Sequence, residues 1–139
     1  MSTHLKEKQE KIQKIIDKLI EASEKGKPII VEGKKDTQAL KELGVNGVIL
    51  TVKSGGKSFL QATQEIEKFG AREVILLLDF DRRGREGTKR LQQDLERMKI
   101  KVNLRFWSEL KGLLSRDIQC IESLPSYLSM VQRKFLNSA

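Results

Sequence analysis

The sequence predicts an α/β fold: a four-stranded, mainly parallel sheet with helices on both faces. Three observations point there. Short apolar runs rich in β-branched residues recur at Pro28–Val31, Val48–Val52 and Val74–Leu78. Each is followed by a segment of roughly ten residues with helical periodicity. The runs also lack the apolar–polar alternation of a half-solvated antiparallel strand, which suits strands buried on both faces of a parallel sheet. Strands alternating with helices in this way are joined by crossovers that lay the helices over the sheet.

Taken in order, Leu5, Ile12, Ile15, Ile16, Leu19 and Ile20 on a Lys/Glu background predict an amphipathic helix from His4 to Ser23, ended by Gly26. Its apolar stripe packs on the sheet or docks a protein partner. Pro28–Val31 is the first strand, and Asp36 to Leu43 a short helix with Asp36 as its N-cap and Gly44 closing it. Val48–Val52 is a second buried strand, Ser54–Lys57 a loop, and Phe59 to Phe69 a helix through Leu60, Ile66 and Phe69. Val74–Leu78 is the third strand and the most apolar. After a loop Asp79–Gly87, Thr88 to Met98 reads as a helix with Leu91, Leu95 and Met98 on one face. Val102–Phe106 alternates as an edge strand would. Two more helical stretches follow as an appendage, near Leu113–Ile121 and after Pro125, the latter with Tyr127, Leu128, Val131 and Phe135 in register. The chain reads as one domain: an N-terminal helix (1–26), a core (27–106) and a basic helical extension (107–139).

Composition narrows the function. With 139 residues and 38% hydrophobic content, one compact core is expected. No apolar stretch approaches the ~18–20 residues of a membrane span, and charges interrupt Met1–Lys25 where a signal peptide needs an apolar run. The expectation is a cytoplasmic protein with no membrane association. One cysteine (Cys120) and one histidine (His4) exclude a disulfide framework and a Cys/His zinc site, so any metal must bind oxygen. His4 lies in a polar N-terminal segment unsuited to catalysis, which leaves carboxylates and lysines for acid–base work. The net charge is +8, and residues 82–139 carry thirteen basic against six acidic side chains. That excess is a well-solvated surface or an attraction for polyanions, with nucleic acid the expected partner.

Open parallel sheets bind ligands beyond the carboxyl ends of their strands. The first strand ends in Glu32-Gly33-Lys34-Lys35-Asp36 and the third in Asp79-Phe80-Asp81-Arg82-Arg83-Gly84-Arg85. Asp79 and Asp81 are two apart on an extended segment, so both carboxylates can face one side. Two such carboxylates raise each other's pKa unless a cation lies between them, and a hard ion such as Mg²⁺, or Mn²⁺ in its place, resolves the repulsion. Asp81 suits a helix N-cap equally well. Glu32 is a third ligand or a general acid/base. Gly33 and Gly84 permit tight turns and leave room for a phosphate. Arg82, Arg83 and Arg85, with Lys34, Lys35 and Lys57 on the other strand ends, are candidate phosphate contacts. Gly55-Gly56-Lys57-Ser58 fails as a phosphate-binding P-loop because Thr51 stands where that pattern needs glycine.

In combination, Ile29-Ile30-Val31-Glu32-Gly33-Lys34-Lys35-Asp36 and Leu76-Leu77-Leu78-Asp79-Phe80-Asp81-Arg82-Arg83-Gly84 resemble the Toprim domain family. That family holds the catalytic domains of bacterial-type primases and topoisomerases, small nucleases, a recombination protein and the 5S ribosomal RNA maturase. The resemblance implies a Rossmann-like sheet, Glu32 as acid/base or metal-sharing residue, Asp79 and Asp81 as the Mg²⁺-binding pair, and phosphodiester chemistry on nucleic acid. The departures are informative. Tyr127 is the only tyrosine and falls in a helical stretch, which argues against a strand-passing enzyme. No zinc module is present, which argues against a primase. Arg83 replaces an acidic residue found in topoisomerases; Glu86 is a substitute ligand or, as the commoner reading, a solvated residue at a helix N-terminus. The format resembles small stand-alone Toprim proteins and the maturase. The expectation is metal-dependent cleavage of structured RNA, RNA before DNA; the alternative is a non-catalytic RNA/DNA-binding or assembly module.

Overall fold

The computed structural model describes residues 3–53 and 56–138. Its elements run α1 (Thr3–Glu24), β1 (Ile29–Val31), α2 (Lys34–Glu42), β2 (Ile49–Thr51), α3 (Phe59–Phe69), β3 (Glu73–Leu76), α4 (Arg82–Arg97), β4 (Lys101–Asn103), α5 (Arg105–Leu114), a 3-10 turn (Ile121–Ser123) and α6 (Leu124–Ser138). The four strands lie in the order β2-β1-β3-β4, and every pairing is parallel, as the apolar runs predict.

Alternate residues of the central strands feed two cores. Ile29, Val31, Ile75 and Leu77 point to one face, where α1, α2, α5 and α6 cover them. Ile30, Leu76 and Leu78 point to the other, under α3 and α4. The apolar stripe of α1 packs inward: Ile12, Ile15, Ile16 and Leu19 are all buried. The stripe offered as a docking surface is therefore occupied by the protein's own core. Trp107, Leu110, Leu114, Leu124, Tyr127 and Val131 join the same core, so the C-terminal helices complete one layer of the fold. Among the described residues, no helix is long and apolar enough to cross a membrane.

Several local expectations change. β2 is only half-buried, because it forms one edge of the sheet. The segment Asp79–Gly87 is not a loop: α4 starts at Arg82, capped by Asp81. Gly84 accordingly makes no turn. It faces inward, where a Cβ would fall 2.1 Å from the Asp79 carbonyl oxygen, and a Cβ on Gly87 would meet Phe59 Cζ at 3.2 Å. These glycines let a helix approach the strand end closely. Asp36 is not the N-cap of α2. The helix begins at Lys34, and Asp36 reaches back to accept the Gly33 N–H at 3.0 Å. The fourth strand stops at Asn103, since β3 offers it partners only over Glu73–Ile75. Phe106 then lies on α5, and the stretch 115–120 is non-helical. Of the loop Ser54–Lys57, the first two residues lie outside the described residues; Ser58 caps α3 by accepting the Gln61 N–H at 3.2 Å.

Candidate functional site

The parallel ladder brings its strand ends to one edge of the sheet. Beyond β1, the Lys53 N–H donates to the Glu32 carbonyl at 2.9 Å, and the Lys53 ammonium reaches Glu32 Oε1 at 3.3 Å. Beyond β3, the buried residues Leu77 and Leu78 lead into Asp79. Because β1 and β3 are hydrogen-bonded neighbours, the Glu32 and Asp79 carboxyls meet and hydrogen-bond to each other. Burial, then this bond and the Glu32 charge, then the Asp36 charge push Asp79 up to about 8; the Ile121 N–H, 3.4 Å from Oδ1, pulls the other way. Near neutral pH Asp79 therefore keeps its proton, as a buried carboxyl crowded by other acids does.

Asp36 is the acid whose place in the site the sequence reading missed. It is 6% exposed, and its carboxylate accepts the Gly33 N–H and, across the fold, the Glu122 N–H, each at 3.0 Å. Burial raises its pKa, the two N–H groups oppose the rise, and Glu122 and Glu32 add to it. Cys120 reports the same field: burial, followed by the charges of Asp79, Glu122, Asp81 and Asp36, pushes its thiol up to about 11. A thiol held protonated in this way is no nucleophile. The backbone from 119 to 122 thus clamps the strand ends. Besides the Ile121 and Glu122 donors, the Gln119 carbonyl accepts the Phe80 N–H at 2.7 Å. Trp107 contributes by donating its indole N–H to the Leu78 carbonyl at 2.9 Å. Nothing local in the sequence signals these long-range bonds; for Asp36 the Glu-Gly-x-x-Asp spacing was itself the available signal.

Asp81 divides its role. Its Oδ1 accepts the Gly84 N–H at 2.7 Å and caps α4, while no hydrogen bond to Oδ2 is formed among the described residues. Of the arginines, Arg85 donates to the Phe80 carbonyl at 2.8 Å and so braces the turn. Arg82 pairs with Glu86 at 3.0 Å on the exposed side of α4, which leaves Glu86 as an arginine partner rather than a member of the carboxylate group. Arg83, Lys34 and Lys35 are exposed on the first turns of α4 and α2. Lys57 instead pairs with Glu65 at 2.5 Å on α3. Residues 82–106 hold nine basic and three acidic side chains, so most of the basic excess follows directly on the Asp79–Asp81 strand end.

The donor set fits a hard divalent ion: oxygen ligands only, and a carboxyl pair in mutual repulsion. Among the described residues, no three His, Cys, Asp or Glu side chains converge as a ready-made metal cage.

Comparison with known proteins identifies the domain family. The Toprim domain matches residues 26–104, which include Glu32, Asp36, Asp79 and Asp81. The chain is 41% identical over 121 residues to the UPF0292 protein of Methanocaldococcus jannaschii, covering 86% of this chain and 91% of that one. It is 35% identical over 129 residues to the UPF0292 protein of Pyrococcus furiosus, covering 93% and 92%. A solved structure of a protein from Aquifex aeolicus superposes with a TM-score of 0.65 at 27% identity, over 79% of this chain and 94% of that one. Toprim domains in general bind divalent metal through acidic side chains and act on nucleic acid. With its two signature strand ends side by side on a parallel sheet, this chain belongs to the Toprim domain family.

Proposed function

We propose that the protein is a metal-dependent phosphodiesterase that cleaves structured RNA. The observation that carries this reading is the contact between the Glu32 and Asp79 carboxyls at adjacent strand ends, with Asp79 pushed up to about 8. Asp79 and the free oxygen of Asp81 would hold Mg²⁺ or Mn²⁺, with Glu32 beside Asp79 as the acid/base. When bound, the ion supplies neutralisation of the phosphate and of negative charge developing on the displaced oxygen. Glu32 moves the proton, its carboxylate aimed by the Lys53 ammonium. The Ile121 N–H holds Asp79, and the clamp at Asp36 holds the turn beside it. Arg82 and Arg83, with Lys34 and Lys35, flank the carboxylates and bind the phosphates on either side.

A second reading, a non-catalytic RNA-binding or assembly module, draws on Asp81, whose carboxylate already caps α4. End-labelled structured RNA incubated in Mg²⁺, Mn²⁺ or EDTA decides between them. Cleavage requires either ion, and Asp79→Asn and Glu32→Gln each reduce it at least about 100-fold, the scale of losing a general acid/base. RNA that is retarded in a gel yet intact under every condition establishes the binding module instead.

A further inference from the structure

The helices α1 and α5 pack side by side, and a groove of about 560 Å³ opens along their outer seam. A second hollow of about 310 Å³ adjoins it, sharing Lys11, Gly112 and Leu113. Both helices lie outside residues 26–104, and of the groove's lining only Asn103 belongs to the Toprim match. One wall carries Lys11, Lys14 and Lys18, spaced three and four residues apart and so aligned on one side of α1. They span about 10 Å along the helix. Among the described residues no ion pair involves any of the three, and the groove's nearby acid, Glu109, is paired with Arg105 at 2.7 Å. The adjoining hollow adds Arg116 at the far end, with Glu7 as its one acidic lining residue. Like charges at this spacing repel, and a polyanion laid along them relieves the repulsion.

We propose that the α1–α5 groove binds the phosphate backbone of a single-stranded RNA segment. The inference rests on the reading that the protein acts on nucleic acid and deepens it, giving the substrate a second anchoring surface away from the carboxylates. An acidic amphipathic helix fits less well. Ile15, Phe106 and Leu113 line the groove and would meet such a stripe. The row of Lys11, Lys14 and Lys18, none of them in an ion pair among the described residues, nevertheless matches the even charge of a phosphate backbone better than the spaced carboxylates of a helix. Lysine contacts to phosphate carry no sequence information, so binding in the groove is sequence-tolerant.

The test is fluorescence anisotropy of the full chain with labelled oligouridylate of roughly 12 nucleotides, in EDTA so that binding is read without cleavage. Replacing Lys11, Lys14 and Lys18 together by Gln is expected to weaken binding at least about tenfold and to reduce the slope of log K against log salt by about 2, the loss of three phosphate contacts on a single strand. Gly112→Trp supplies an independent check. A Cβ at Gly112 meets nothing within 4 Å, so the indole enters the groove without a change of charge and also weakens binding. A triple variant that keeps the wild-type affinity and slope overturns the groove while leaving the nucleic-acid reading in place. Displacement of the RNA by polyglutamate more readily than by unlabelled RNA overturns it in favour of an acidic protein partner. A wild-type chain that does not bind the oligouridylate overturns the groove, while the nucleic-acid reading stands or falls separately on the structured-RNA assay.

Discussion

Gly84 is where packing and chemistry meet most closely. The Asp79 carbonyl oxygen occupies the space in which a side chain would begin, 2.1 Å from the position of a Cβ. Gly84→Ala must push α4 away from the strand end or move Asp79. Overpacking of this kind costs about 1–3 kcal/mol. Urea denaturation is expected to show that loss, and the stabilisation of the variant by Mg²⁺ is expected to shrink as well, because the displaced backbone carries the carboxylate. An unchanged midpoint would show that the helix backbone yields freely. Gly33 is the contrasting case. It is extended, with φ −150°, and a Cβ there meets nothing within 4 Å, so Gly33→Ala is expected to fold normally.

Helix α5 braces the strand end from the other side of the sheet. Trp107 is buried, its indole N–H is bonded to the Leu78 carbonyl at 2.9 Å, and the Lys111 ammonium lies 4.7 Å from the ring centroid. Trp107→Phe retains an aromatic ring but leaves a buried acceptor without its donor, a loss of about 1–3 kcal/mol. Chemical denaturation followed by far-UV circular dichroism is expected to report it. A variant as stable as wild type would mean that water replaces the indole. Sequence reading extends the fourth strand through Phe106 because Val102, Leu104 and Phe106 alternate. The helical spacing of Phe106, Leu110 and Leu114 competes with that alternation. Helix prevails because β3 provides no ladder partner beyond Ile75 while the core accepts all three side chains.

For the whole molecule, the Glu32–Asp79 contact predicts how stability varies with pH. Asp79 sits at about 8 in the folded chain, against an ordinary carboxyl value of 3.8. Between these values the folded state holds a proton that the unfolded state has released, so stability declines as pH rises from about 4 to about 8 and levels off above. Thermal melts in EDTA are expected to give a lower Tm at pH 8.5 than at pH 5.5, with a smaller difference in Asp79→Asn. Added Mg²⁺ is expected to raise the wild-type Tm more at pH 8.5, where Asp79 is largely ionised and its proton competes less with the ion. Equal slopes in wild type and Asp79→Asn would mean that the carboxyl pair does not govern the dependence.

The order of elements, the parallel sheet and the acidic strand ends were legible in the sequence, because they rest on local patterns: apolar runs, helical spacing and the Glu32…Asp79-x-Asp81 signature. Only the tertiary structure decided what those residues meet. That Glu32 touches Asp79 depends on β1 and β3 being neighbours, with β2 outside them. That Gly84 lies within a helix depends on how near α4 comes to the strand, and glycine alone reads equally as a turn or as a close approach. The hold on Asp36 and Asp79 comes from backbone donors at Glu122 and Ile121, 86 and 42 residues away along the chain. Backbone N–H groups are present at every residue except proline and leave no mark in a sequence, so a site completed by them becomes visible only when the chain is folded.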